Sequence, residues 1–117
     1  VIDKNNAPAI AAKVVVEAAN MPVTFEAMND LFARDIQIIP DTYANAGGVI
    51  ASNIEYRQAL GGVKFTKDMT FAHIREKFDA SYDAMKPLLK KGLHMPQAAS
   101  DIALRRVYDT MLQRRLL

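Results

Sequence analysis

Lys13-Val14-Val15-Val16-Glu17-Ala18-Ala19-Asn20-Met21-Pro22-Val23-Thr24 begins with an unbroken β-branched run and ends on a residue able to cap a helix. A strand with one wet face alternates polar and apolar residues, so three successive valines fit a strand covered on both faces, as in the middle of a parallel sheet. Ala18 to Pro22 end the run, and Thr24 caps a helix expected over Phe25 to Arg34, with Phe25, Met28, Leu31 and Phe32 on its inner face. Ile36-Gln37-Ile38-Ile39 supplies a second short strand, closed by Pro40, which lacks a backbone donor. Strand, helix and strand at this spacing make a βαβ unit, with parallel neighbouring strands and a right-handed crossover.

Working outward, Asn5 to Ala12 is Ala-rich and fits one or two helical turns. Asp41 to Leu60 is helix-compatible except at Gly47 and Gly48, each of which weakens a helix interior by roughly 1 kcal/mol. After Gly61-Gly62, the residues Phe71, Ile74, Phe78, Tyr82, Met85 and Leu89 recur at steps of three and four, which predicts an amphipathic helix over Asp68 to Lys91 with Gly92 as its cap. Pro87 is expected to kink that helix or end it early. Pro96 suits a first helical turn, and a last helix is expected over Gln97 to Leu117, with Ala99, Ala103, Val107 and Met111 in one stripe. The fold class is therefore α/β, a partial parallel sheet followed by C-terminal helices.

The size, 117 residues, admits one small domain or a piece of a larger one. Half the residues are hydrophobic and 24% are charged, which supports a folded core. No apolar run approaches the roughly 20 residues of a membrane span. The chain has no cysteine, which excludes disulfides and thiolate metal sites and fits a reducing compartment, so a cytoplasmic location is expected. It starts at Val1 without a basic, then apolar, leader, so it is expected to continue a longer protein rather than to open with a signal peptide. The net charge of +2 is unevenly spread: residues 1 to 63 hold four basic and seven acidic side chains, residues 64 to 117 eleven and six. That asymmetry marks a change of architecture near Gly61 and Gly62.

Two loops follow the two strands, Ala18-Ala19-Asn20 and Pro40 to Gly48, and in open α/β sheets the ligand crevice lies outside the carboxyl ends of the strands. Each carries an asparagine, Asn20 or Asn45, whose amide offers donors and an acceptor together and suits a carboxamide-bearing ligand. Gly47 and Gly48 allow close backbone approach, and a helix starting after Asn45 would turn free N–H groups towards an anion such as a carboxylate. An asparagine after a strand is, however, more often a turn residue bonded to local backbone, and Gly-Gly is as often a packing point. His73 and His94 are too far apart for a helical metal pair, so no metal site is expected. Arg105, Arg106, Arg114 and Arg115 are interleaved with Asp101 and Asp109 at helical pairing distances, the pattern of a solvated or interface helix face rather than of a nucleic-acid surface.

The strings Val15-Val16-Glu17-Ala18-Ala19-Asn20-Met21-Pro22-Val23-Thr24, Ile39-Pro40-Asp41 and Ala44-Asn45-Ala46-Gly47-Gly48-Val49, followed by Ser52 and Glu55, resemble the glutamate dehydrogenases within the wider glutamate/leucine/phenylalanine/valine dehydrogenase superfamily. The resemblance runs over roughly residues 5 to 58. It implies that residues 1–60 are the second half of a doubly wound, Rossmann-like NAD(P)-binding domain and that residues 61–117 are a C-terminal helical segment. It implies NAD or NADP as cofactor, and L-glutamate and 2-oxoglutarate as substrates of a reversible oxidative deamination. Asn20 falls where the family approaches the nicotinamide ribose, and Asn45 where it holds the nicotinamide carboxamide. Val49 and Ser52 fall where glutamate dehydrogenases contact the distal carboxylate of the substrate. A serine hydroxyl can donate to that carboxylate, whereas a leucine-type pocket calls for an apolar residue there. The small residue that commonly follows the first asparagine is Met21 here. The Gly-x-Gly-x-x-Gly turn and the family's catalytic lysines and aspartate do not occur in this chain, so no catalytic residue is expected in it and the piece alone is expected to be inactive. The rest of the dehydrogenase chain is its expected partner, in a parent that is a homo-oligomer, a hexamer in this family. Alternative readings are a leucine- or phenylalanine-type dehydrogenase segment, or a non-catalytic helical interaction module.

Overall fold

A computed structural model describes residues 1–61 and 64–116. The βαβ unit forms as read: β1 (Val14–Val16), α1 (Phe25–Ala33) and β2 (Gln37–Ile39) follow one another, and the strands pair in parallel with Val15 opposite Ile38. Thr24 caps α1, its hydroxyl accepting the Ala27 N–H at 3.3 Å. The helix closes in a Schellman turn, with the Asp35 N–H donating to Phe32 O at 3.1 Å and the Ile36 N–H to Leu31 O at 3.0 Å. Asp35 takes the left-handed position, at φ 57°, where glycine is usual.

The core of this part is a cluster of Ala7, Val23, Ala27, Leu31, Ile36 and Ile38. Ala7–Ala9 is a single 3-10 turn rather than a longer helix. Arg34 binds it to α1, Nη2 donating to Ala7 O at 2.6 Å and Nη1 to Ile10 O at 3.0 Å, while Nη2 also meets Asp30 at 2.8 Å. Ile2 lies beside Val23 in an isolated parallel bridge, so the first residues of the chain are also tied to the strand-to-helix turn.

Several burial expectations are corrected. The three valines of β1 are not covered on both faces: Val14 and Val16 are 48% and 58% exposed and only Val15 turns towards the core. Among the described residues β1 pairs with β2 alone, and its valines alternate across the pleat. Phe25 is 78% exposed rather than on the inner face of α1, where Ala27 and Leu31 are buried instead. It occupies the first position of the helix, before the inward stripe begins.

After β2 come α2 (Asp41–Ala44), α3 (Ala46–Ala59), α4 (Lys67–Lys90) and α5 (Met95–Gln113). α4 runs through Pro87 to Lys90 rather than ending early: the proline removes one N–H from the ladder, that facing the Asp83 carbonyl, and the helix continues for three more residues. A Schellman turn closes it, the Gly92 N–H donating to Leu89 O at 3.0 Å and the Leu93 N–H to Leu88 O at 3.2 Å, with Gly92 at φ 90°. Gly92 thus caps as read, while Gly62 of the preceding glycine pair lies outside the described residues.

α5 returns over the sheet. His94 stacks on Phe32 with ring centroids 3.8 Å apart, and its N–H donates to Gln97 Oε1 at 3.0 Å to close the first turn. Ala98 is the buried residue of α5, whereas Val107, expected in an inward stripe, is exposed. On α4, Met85 is buried and Phe71 is exposed. No helix among the described residues is long and apolar enough to cross a membrane.

Candidate functional site

The carboxyl ends of β1 and β2 lie side by side because the strands are parallel and in register from Val14 with Gln37 to Val16 with Ile39. The loops that leave them therefore start together. The helical segment after Pro40 breaks at Asn45 and not at the glycines: Asn45, at φ −101° and ψ 2°, ends α2 and begins α3. Its side chain makes no cap for α3 and points across to the other loop, where Nδ2 donates to Asn20 Oδ1 at 3.0 Å. Two asparagines 25 positions apart in sequence are joined by one bond. That bond leaves the Asn45 carbonyl oxygen and the Asn20 amino group outside the pair, one acceptor and one donor group on adjacent side chains.

Neither Gly47 nor Gly48 lies in the left-handed region. A Cβ on Gly47 would meet Ile74 and Phe78 of α4 at ordinary contact distances of 3.7 and 3.8 Å, and one on Gly48 would meet nothing. The pair is therefore not a forced packing point between described residues, and its open side at Gly48 adjoins Asn45. Val49 and Ser52 are both exposed on α3. Asn45, Val49 and Ser52 are spaced i, i+4 and i+7, so they share one face over about 10 Å of helix.

Two further residues belong to this junction, and neither had a role from sequence. Glu17, at the end of β1, is 2% exposed, and its Oε2 accepts the Asp41 N–H at 3.0 Å. Asp41 opens α2, and its Oδ2 accepts the Met21 N–H at 2.7 Å. The available signal was a lone carboxylate directly after a β-branched run, which is seldom buried without partners. A cleft of about 630 Å³ opens beside them, between Met21, Phe25 and Phe32 on one side and Pro96 and Ser100 on the other.

Where a dinucleotide coenzyme is concerned, the two side chains fit its nicotinamide end: Asn45 keeps a carbonyl oxygen that would accept from the carboxamide, and Asn20 an amino group that would donate to the ribose. Among the described residues no group of three or more His, Asp or Glu side chains could hold a metal ion.

Residues 1–115 match the family model described as Glutamate/Leucine/Phenylalanine/Valine dehydrogenase. The chain belongs to this dehydrogenase family. Among its relatives, the NAD-specific glutamate dehydrogenases of Staphylococcus aureus strains COL and MRSA252 are each 37% identical over 109 residues, covering 92% of this chain and 26% of theirs. The crystal structure of glutamate dehydrogenase from Peptoniphilus asaccharolyticus superposes with a TM-score of 0.88 at 27% identity, over 100% of this chain and 30% of that one. This dehydrogenase-family chain thus spans about a quarter of the length of the curated relatives it matches.

Proposed function

We propose that the chain is the closing part of an NAD-dependent glutamate dehydrogenase, which interconverts L-glutamate with 2-oxoglutarate and ammonia. In this reading residues 1–60 complete the coenzyme-binding domain and residues 61–117 form its C-terminal helices. The exposed valines of β1 are then covered by helices from the remainder of the domain packed on that face of the sheet. The observation that carries the reading is the 3.0 Å bond between Asn45 and Asn20 at the shared ends of two parallel strands. It is supported by the 37% identity to NAD-specific glutamate dehydrogenases.

The nicotinamide ring, when bound, supplies the hydride acceptor in one direction of the reaction and the donor in the other. Asn45 and Asn20 orient its carboxamide and ribose by amide hydrogen bonds, and their mutual bond restricts both rotamers before binding, which lowers the ordering cost. Val49 shapes the pocket for the substrate chain, and the Ser52 hydroxyl donates to the distal carboxylate of glutamate. The acid and base groups of the reaction come from the remainder of the protein, which we propose to be a cytoplasmic homo-hexamer.

The test is turnover by the full-length protein with L-glutamate or L-leucine and NAD or NADP. NAD reduction driven by glutamate is expected, and its absence would overturn the reading. Ser52→Val is expected to lower kcat/KM for glutamate by about tenfold and to improve the ratio in favour of leucine. Unchanged preference would remove Ser52 from the pocket.

A further inference from the structure

Asp41 is the crossing point of four hydrogen bonds. Its N–H donates to Glu17 Oε2 at 3.0 Å, its Oδ2 accepts the Met21 N–H at 2.7 Å, its Oδ1 accepts the Thr42 N–H, and its carbonyl accepts the Asn45 N–H at 3.0 Å. Met21 directly follows Asn20, so one residue holds the backbone on both sides of the asparagine pair. The Asn45–Asn20 bond closes the circuit.

Each carboxylate taken alone has an ordinary explanation: an acidic residue opens many helices, and a strand can end on a charge. Neither explanation accounts for where these side chains reach. Glu17 bonds backbone 24 positions away, and Asp41 bonds backbone 20 positions away in the opposite loop. Glu17 is buried beside the core, its own N–H bonded to Ile39 O at 3.0 Å, and its Oε1 has no partner among the described residues. Burying a carboxylate with one oxygen unsatisfied is costly, and an apolar side chain of similar size would avoid that cost. Met21 stands at φ 47°, a left-handed conformation disfavoured for a side chain such as methionine. The bond from its N–H to Asp41 opposes relaxation of the turn that presents Asn20.

We propose that Glu17 and Asp41 are positioning residues for the coenzyme site: Glu17 locates Asp41 against the end of β1, and Asp41 sets the separation and orientation of Asn20 and Asn45. This rests on the coenzyme role given to the asparagine pair above. Both carboxylates act through the amides, and neither touches coenzyme or substrate.

The test uses the full-length enzyme. Asp41→Ala and Glu17→Ala are each expected to raise KM for the coenzyme by about tenfold, with a smaller change in kcat at saturating coenzyme. Glu17→Gln keeps an oxygen facing the Asp41 N–H and is expected to restore most of the lost affinity. The decisive variant adds Asp41→Ala to the pair Asn20→Ala and Asn45→Ala. If Asp41 works through the amides, it weakens binding no further than loss of both amides alone, whereas a merely structural contribution adds to it. Urea unfolding of every variant separates lost stability from lost positioning. Should Glu17→Ala fail to fold, Asp41→Ala carries the test, because that side chain is only partly buried. Additive effects, or an Asp41→Ala enzyme with wild-type coenzyme KM beside a weakened Asn45→Ala enzyme, would overturn the positioning role and leave the coenzyme reading intact. An Asn45→Ala enzyme with wild-type affinity would overturn both.

Discussion

The βαβ part and the helical part of this chain use apolar side chains differently. Up to Ile39, where β2 ends, six buried residues from the 3-10 turn, the strand-to-helix turn, α1, the turn after α1 and β2 pack into one cluster. From α3 onward the buried hydrophobic residues among those described are Ile54, Met85 and Ala98, one on each long helix, while Leu104, Val107, Tyr108 and Leu112 are exposed on α5. The first part closes on its own core. The second is held by a few contacts, Tyr43 edge-on to Phe78 and His94 on Phe32 among them, and leaves apolar faces open. The asparagine junction lies on the border, anchored from the side that is better packed.

Breaking that contrast starts with Leu31, which is fully buried, against Leu104, which is 70% exposed. Leu31→Ala is expected to cost about 3 kcal/mol in urea unfolding, and Leu104→Ala less than about 0.5 kcal/mol. Equal losses would show the two regions to be equally packed.

A smaller effect is expected at Tyr43, which joins the two parts by donating its hydroxyl to Phe78 O at 3.3 Å. Tyr43→Phe is expected to cost about 0.5 to 1 kcal/mol at neutral pH. Burial first, then the negative charge of Asp79, raises the phenol above its ordinary value of 10.0. The folded state therefore holds that proton longer than the unfolded state does. Its contribution is complete below pH 10 and is lost as the pH climbs through the raised value, so the alkaline fall in stability should be shallower in Tyr43→Phe. An identical alkaline profile for both proteins would contradict the assignment.

The smallest effect is expected for Met21→Gly, where relief of the left-handed strain opposes the greater chain entropy of glycine. Met21→Gly should change stability by less than about 0.5 kcal/mol, whereas Met21→Val, β-branched in that conformation, should cost about 1 to 2 kcal/mol. Reversal of that order by thermal unfolding would show that the turn does not hold its φ in solution.

Local patterns in the chain were enough for the order of strand, helix and strand, the Thr24 cap, the Gly92 turn and the two asparagine-bearing loops, because periodicity and turn chemistry act over a few residues. Burial was less legible. Val14, Val16, Phe25 and Phe71 are apolar and well placed in their patterns, yet exposed, since a side chain is covered only if another element arrives above it. The site divides in the same way. Asn20 and Asn45 stand out by position after strands, but Glu17 and Asp41 do not, because their partners are backbone N–H groups of distant segments.

By itself, then, the amino-acid order determined which segments are strands and helices and where the turns fall. The fold alone decided that Asn45 meets Asn20, that Asp41 reaches the turn after β1, and which apolar faces are covered. The reason is range: backbone propensity and hydrophobic spacing are properties of neighbouring residues, while bonds across 20 to 25 positions exist only after parallel pairing has brought the strand ends together.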